Sequence, residues 1–163
     1  KELQEQIANF ASTMAEKLRK QHSVTGEMAV FAYTNRFKED LPQAHASALV
    51  SFNTPTAEQR TIIASAVQAA KELYRSGYGY KKAGVIATHI IDSGDMMHSL
   101  FEDTETLEKE HRITSALDAI NRAYGDGAIK LAVQGSGRIK TTSEKQSPHY
   151  TTLWSDIPKV SIK

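Results

Sequence analysis

In AHASALVSFN, residues 44–53, Ala44, Ala46, Ala48, Val50 and Phe52 alternate with His45, Ser47, Leu49 and Ser51. A two-residue period puts the first set on one side of an extended strand and the second set on the other. The apolar side needs a cover and the largely polar side tolerates water, so this is a half-buried strand. That restricts the chain to folds in which a sheet is covered on one face.

The sequence supplies the cover. Leu3, Ile7, Phe10, Met14 and Leu18 fall at helical spacing, with Lys17, Arg19 and Lys20 in the last turn, where the helix dipole favours cations. A second helix is predicted over 56–76, with Thr54 as its cap and Pro55 at its first position. Its buried stripe is Ile62, Ile63, Ala66, Val67, Ala70 and Leu73, and Gly77 ends it. EMAVFAYTN (27–35) is apolar and partly β-branched or aromatic, and reads as a buried strand joined to 44–53 through FKEDLPQ. A third strand is expected over 80–91. The order is α-β-β-α-β, an α+β fold with both helices on one face of a small sheet.

Beyond residue 91 the pattern weakens. Residues 92–105 contain Asp92, Asp95, Glu102, Asp103 and Glu105, lack lysine and arginine, and show no periodicity, which favours an exposed linker. Ile113, Ala116, Leu117, Ile120 and Tyr124 mark a third helix stopping at Gly125, and AIKLAVQG (128–135) is expected to form one more strand. The remainder is polar and irregular apart from the anchors Tyr150, Leu153, Trp154, Ile157 and Val160. The chain lacks an initiator Met and begins within a helical pattern, so it reads as a fragment.

The chemistry that composition excludes is broad. With no cysteine among 163 residues, disulfides, zinc fingers and thiol catalysis are all ruled out. No apolar run approaches the roughly 18 residues of a membrane helix. The six histidines (22, 45, 89, 98, 111 and 149) show no HxxxH or HxH pairing, and no serine lies in a G-x-S-x-G turn. No catalytic or metal-binding residues are therefore assigned. Charge is uneven along the chain. Residues 1–91 carry eleven basic against eight acidic side chains, residues 92–126 three against nine, and residues 127–163 six against two.

The glycine-rich stretch SGYGYKKAGVIA (76–87) invites comparison with a phosphate-binding loop. Such a loop follows a strand and opens a helix, aiming free N–H groups at the anion. Gly77 and Gly79 do the reverse, closing a helix and leading into a strand, where carbonyl oxygens repel phosphate. GSGR (135–138) has no helix after it. Lys81 and Lys82 open the third strand, one on each face by alternation. Arg36 and Lys38, just past the strand 27–35, lie near them if the strands pair. Basic groups on an uncovered sheet face suit a nucleic-acid backbone, whereas lysines at a strand end also serve simply to solubilise.

YKKAGVIATHI after a helix opened by PTAEQR, preceded by VFAYTNRF, resembles the little-finger domain of the Y-family translesion DNA polymerases, and more narrowly of their UmuC (ImpB/MucB/SamB-like) branch. ALDAIN, AVQGSG and SPHYTTLWSDIPKV are similar to the extra C-terminal region of that branch. The resemblance divides the chain into a little finger (1–92), an acidic linker (93–105) and a UmuC-type C-terminal region of helix plus strand (106–163).

The resemblance implies that palm, fingers and thumb lie upstream, and with them the carboxylates and the Mg of nucleotidyl transfer. This piece is then no enzyme and holds no cofactor of its own. The family's little finger has four strands, so its first would precede Lys1, leaving an edge where another chain could pair. It lies against duplex primer-template DNA and touches mostly phosphates, a role that falls here to Arg36, Lys38, Lys81 and Lys82. The family also carries a sliding-clamp peptide of the form Gln-Leu-x-Leu-Phe. Here the linker offers MHSLF: Leu100 and Phe101 match, Met97 replaces the glutamine and His98 the leucine. The implied setting is the bacterial cytoplasm during SOS mutagenesis and DNA repair, with no membrane. A UmuD′-like accessory subunit and RecA are the implied partners of the tail. A protein-interaction module with no DNA role is the competing class.

Overall fold

A computed structural model describes residues 1–38, 40–96 and 104–136. The elements are α1 (Glu2–Lys20), β1 (Ser23–Thr34), β2 (His45–Thr56), α2 (Gln59–Leu73), β3 (Tyr80–Asp92) and α3 (Thr104–Tyr124), with short 3₁₀ turns at Ser93–Asp95 and Ala132–Gln134. The strands form one antiparallel sheet in the order β2-β1-β3.

β1 is central, and its register puts Met28, Val30 and Ala32 beside Val50, Ala48 and Ala46 of β2 and beside Ala87, Val85 and Ala83 of β3. These side chains share the covered face. Ile7, Ala8, Ala11, Ala15 and Leu18 of α1 and Ile62, Ile63, Ala66, Val67 and Ala70 of α2 complete the core. The alanines leave little side-chain bulk where α1 meets α2, which lets both helices lie on the same face, α1 over β3 and α2 over β2. The alternation in 44–53 is borne out: Ala48, Val50 and Phe52 pack on the core while His45, Ser47, Leu49, Ser51 and Asn53 are exposed.

Four expectations are corrected. Thr54 and Pro55 do not open α2 but belong to β2, and the helix starts at Gln59 with Glu58 as N-cap. No side chain caps the first turn of α2; the Thr56 hydroxyl instead accepts from the Glu58 N–H at 3.0 Å, a local turn that leads the chain into the helix. Pro55 is tolerated because β2 is an edge strand whose pairing with β1 is irregular between Ser51 and Thr56, so no ladder hydrogen bond is lost. Second, α2 ends at Leu73 rather than at Gly77. The Tyr80 hydroxyl donates to the Leu73 carbonyl (3.2 Å) and accepts from the Arg75 N–H (3.0 Å), while Gly77, at φ +88°, turns the loop beyond.

The third correction concerns 128–135, which is not a strand. Asn121 of α3 accepts from the Ile129 N–H (2.9 Å) and donates to the Ile129 carbonyl (3.2 Å), so a helix side chain occupies the groups that a strand partner would need. Asn9 of α1 donates to the Gln134 carbonyl at 3.0 Å, docking the 3₁₀ turn on α1. Fourth, both ends of the stretch 93–105 read as a linker are structured: Ser93–Asp95 forms a 3₁₀ turn, Met96 packs on the core and α3 has begun by Thr104, while 97–103 lie outside the described residues.

α3 ends at Gly125 as expected, with φ +101° there. Ile113, Leu117 and Ile120 are only half-buried, and Ala116 and Tyr124 are exposed. Polar contacts hold the helix instead. Arg19 grips Asp118 with two hydrogen bonds, at 2.6 and 2.7 Å, and donates a third to the Ala57 carbonyl at 2.8 Å. His111 lies 3.1 Å from Glu58, and Thr61 donates to Glu110 at 3.1 Å. Asp118→Ala would leave the half-hidden Arg19 guanidinium without its anion. Hydrogen bonds to charged groups contribute roughly 1.5–3 kcal/mol. Amide hydrogen exchange in α3 is therefore expected to speed up about tenfold or more, with α2 and β1 unchanged.

Candidate nucleic-acid interface

The face of the sheet away from α1 and α2 is uncovered by any described element. At one end of it β1 leaves for the loop 35–44 and β3 enters. Lys82 pairs with Tyr33, and the next pair is Thr34 with Tyr80, so Lys81 is an extra residue in a bulge. Directly opposed residues share a face, which places Lys82 with Tyr33 on the uncovered side. Simple alternation would send Lys81 toward the helices, but at the bulge it is exposed.

The loop brings Arg36 and Lys38 to the same end of the sheet, and Gln43 holds its shape. The Gln43 amide donates to the carbonyls of Lys38 (2.7 Å), Leu41 (3.0 Å) and Asn35 (3.3 Å), and its oxygen accepts from the Thr34 hydroxyl (2.8 Å). Asn35 accepts from the Phe37 N–H at 3.2 Å. A loop clasped in this way presents its side chains with less ordering left to be done on binding. Phe37 is 83% exposed, with the Arg36 guanidinium 5.4 Å from its ring centre. All four sequence-assigned cations are thus gathered at one end of the sheet and exposed, and none pairs with a carboxylate among the described residues. In sequence, Glu39 and Asp40 balance the charge of Arg36 and Lys38, so the surplus comes from Lys81 and Lys82. Met97, Leu100 and Phe101 lie outside the described residues.

The sequence reading missed the aromatic part of this face. Segment 27–35 reads as a buried strand, yet only Met28, Val30 and Ala32 are buried there. Phe31 and Tyr33 lie half-buried on the other side. Their rings stack at 4.8 Å, and Tyr33 stacks on His45 of β2 at 4.5 Å with planes only 4° apart. The signal was present: in VFAYT the aromatics alternate with Val30 and Ala32, which assigns them to the same face as the polar residues of β2.

Gly84 makes room for the first ring. It pairs with Phe31, and a Cβ at Gly84 would meet the Phe31 ring at 2.7 Å. Gly84→Ala is expected to push Phe31 off Tyr33, with a loss of about 1–3 kcal/mol as in other overpacked sites. Altered ring-current shifts of Tyr33 together with a lower denaturation midpoint are the measurements that check it.

One other basic region among the described residues is less suited to an anion. A polar cleft of about 880 Å³ between α1, α3 and residues 125–134 has Arg19, Lys20, Arg122 and Lys130 offset by Glu16, Asp118 and Asp126. Lys20 there is hydrogen-bonded to Glu16 at 2.6 Å, and that bond and charge raise its pKa. Among the described residues no three histidine or acidic side chains converge as metal ligands, and no helix is long and apolar enough to cross a membrane.

Residues 1–100 match the model of the impB/mucB/samB family C-terminal domain. The chain belongs to the impB/mucB/samB family. Residues 111–160 match a domain of unknown function, DUF4113. The chain is 32% identical over 160 residues to Protein UmuC of Salmonella typhimurium, a match covering 98% of the chain and 38% of that relative. It is 31% identical to Protein ImpB of Salmonella typhimurium over 153 residues, covering 93% of the chain and 36% of the relative. With Protein MucB of Escherichia coli the identity is 29% over 163 residues, covering 99% and 38%. The impB/mucB/samB chain spans under two-fifths of the length of these curated relatives. The UmuC-branch resemblance read from YKKAGVIATHI and SPHYTTLWSDIPKV is thereby borne out.

Proposed function

We propose that this chain is the DNA-binding and partner-binding part of an error-prone translesion DNA polymerase acting in SOS mutagenesis and DNA repair. Its little finger, residues 1–92, holds duplex primer-template through phosphates. The acidic segment 93–105 tethers the enzyme to a sliding clamp through Met97, Leu100 and Phe101. Residues 106–163 dock a UmuD′-like subunit and RecA. Nucleotidyl transfer, with its Mg, belongs to other parts of the parent polymerase, in the bacterial cytoplasm.

One observation carries the DNA reading. Two segments far apart in sequence, 36–38 and 81–82, deliver four exposed cations to one end of an uncovered sheet face. Lysine and arginine so placed neutralise phosphates and release counterions, a sequence-independent attraction that weakens with salt.

The test is a titration of the chain with short duplex DNA at two salt concentrations. Four phosphate contacts predict a log–log slope of about −3.6, from about −0.9 per contact. Absent or salt-insensitive binding would leave the cations as solubilising groups and favour a pure protein-interaction module.

A further inference from the structure

We infer that the Phe31–Tyr33–His45 column is a stacking site for an unpaired base, so that the sheet face takes single-stranded DNA in addition to duplex phosphates. The inference rests on the nucleic-acid reading above and deepens it.

The three rings form one column across β1 and β2, with interplanar angles of 18° and 4°. Phe31 closes one end of it, resting over Gly84. His45 forms the other end and is exposed, so the outer face of its ring is free to receive a further flat group. A nucleobase is such a group, and stacking on a ring is largely indifferent to base identity because every base has a π-face. Charge selects the nucleotide over other flat ligands. Arg36 and Lys38 lie in the loop that leads into His45, at the end of the column a base would reach, and Lys82 flanks Tyr33 from β3 at the far side, so the strand running to or from a stacked base meets cations for its phosphates. Bases inside a duplex are already stacked on both faces and cannot reach the column. The site therefore discriminates for an unpaired nucleotide at or beyond a duplex end.

The full 163-residue chain is titrated with single-stranded oligothymidylate and with an abasic oligonucleotide of the same length, which has the same phosphates and no bases. Oligothymidylate is expected to bind more tightly by about 5- to 100-fold, the range of one or two weak base–aromatic stacks. His45→Ala is expected to collapse that preference toward unity. His45→Trp is expected to restore it, and His45→Lys, which supplies a cation and no ring, is not. His45 is exposed, so these variants do not disturb the core, and circular dichroism confirms that each is folded. Equal affinity of the wild-type chain for the two oligonucleotides would overturn the inference, as would an unchanged preference in His45→Ala. Salt-dependent duplex binding without any such preference rejects the stacking site alone, whereas no binding to either nucleic acid rejects the DNA reading as well.

Discussion

Replacing Lys81 and Lys82 together by glutamate is expected to lower affinity for short duplex DNA by about 100-fold at 50 mM salt, whatever the sequence of the duplex. Lost phosphate contacts release fewer counterions on binding, which sets the size of the effect. Each phosphate contact adds about 0.9 to the salt slope, and near 50 mM this amounts to about one decade of affinity. The slope itself should fall in magnitude by about 1.8 as two contacts are lost. These two lysines have the largest effect because they supply the surplus charge at that end of the sheet, Arg36 and Lys38 being balanced by Glu39 and Asp40 in their own loop. Both side chains are exposed, so the fold is left intact. Unchanged affinity and slope in the double variant would remove the lysines from the interface.

The second large effect is expected at the proposed tether. Leu100→Ala with Phe101→Ala should abolish binding to a sliding clamp while leaving the duplex titration and its salt slope as they are. Burying a large apolar side chain in a partner pocket contributes roughly 1.5–3 kcal/mol. Losing two such anchors from a short extended ligand therefore costs about 100-fold or more. Met97→Gln should tighten clamp binding, because an amide makes hydrogen bonds that a thioether cannot. Clamp affinity of the three chains, measured by titration, separates a built tether from a chance Leu-Phe pair. An affinity indifferent to both substitutions would assign these residues no part in a tether.

The impB/mucB/samB assignment and the proposed stacking site call on different features of the same sheet. The family match rests on residues 1–100 as a pattern, whereas the column depends on three rings from two strands meeting on one face. Gly84 links the two, since it lies in the YKKAGVIATHI segment that carries the resemblance and also leaves the space in which Phe31 lies.

Periodicity by itself determined the covered side of this protein. Ile7, Leu18, Ile62, Ile63 and Val50 recur at intervals dictated by local backbone geometry, and burial of apolar surface rewards the fold that gathers them. The period-two alternation of 44–53 likewise determined that one face of the sheet would stay open. Tertiary structure decided the features that depend on which segments meet. Thr56 rather than Thr54 makes the turn that leads into α2, because an irregularity in strand pairing, invisible to a local pattern, keeps Thr54 and Pro55 in β2. Residues 128–135 had apolar content for a strand, yet α1 and Asn121 took up their backbone partners, and a strand forms only where a sheet edge is at hand. The bulge beside Tyr80 left Lys81 exposed against its alternation. The ring column and the cation cluster exist only because β1 pairs with β2 on one side and β3 on the other, bringing residues 31–45 and 81–84 together. Hydrophobic patterning is a property of neighbours along the chain; a binding surface is a property of neighbours in space, and only strand register specifies it.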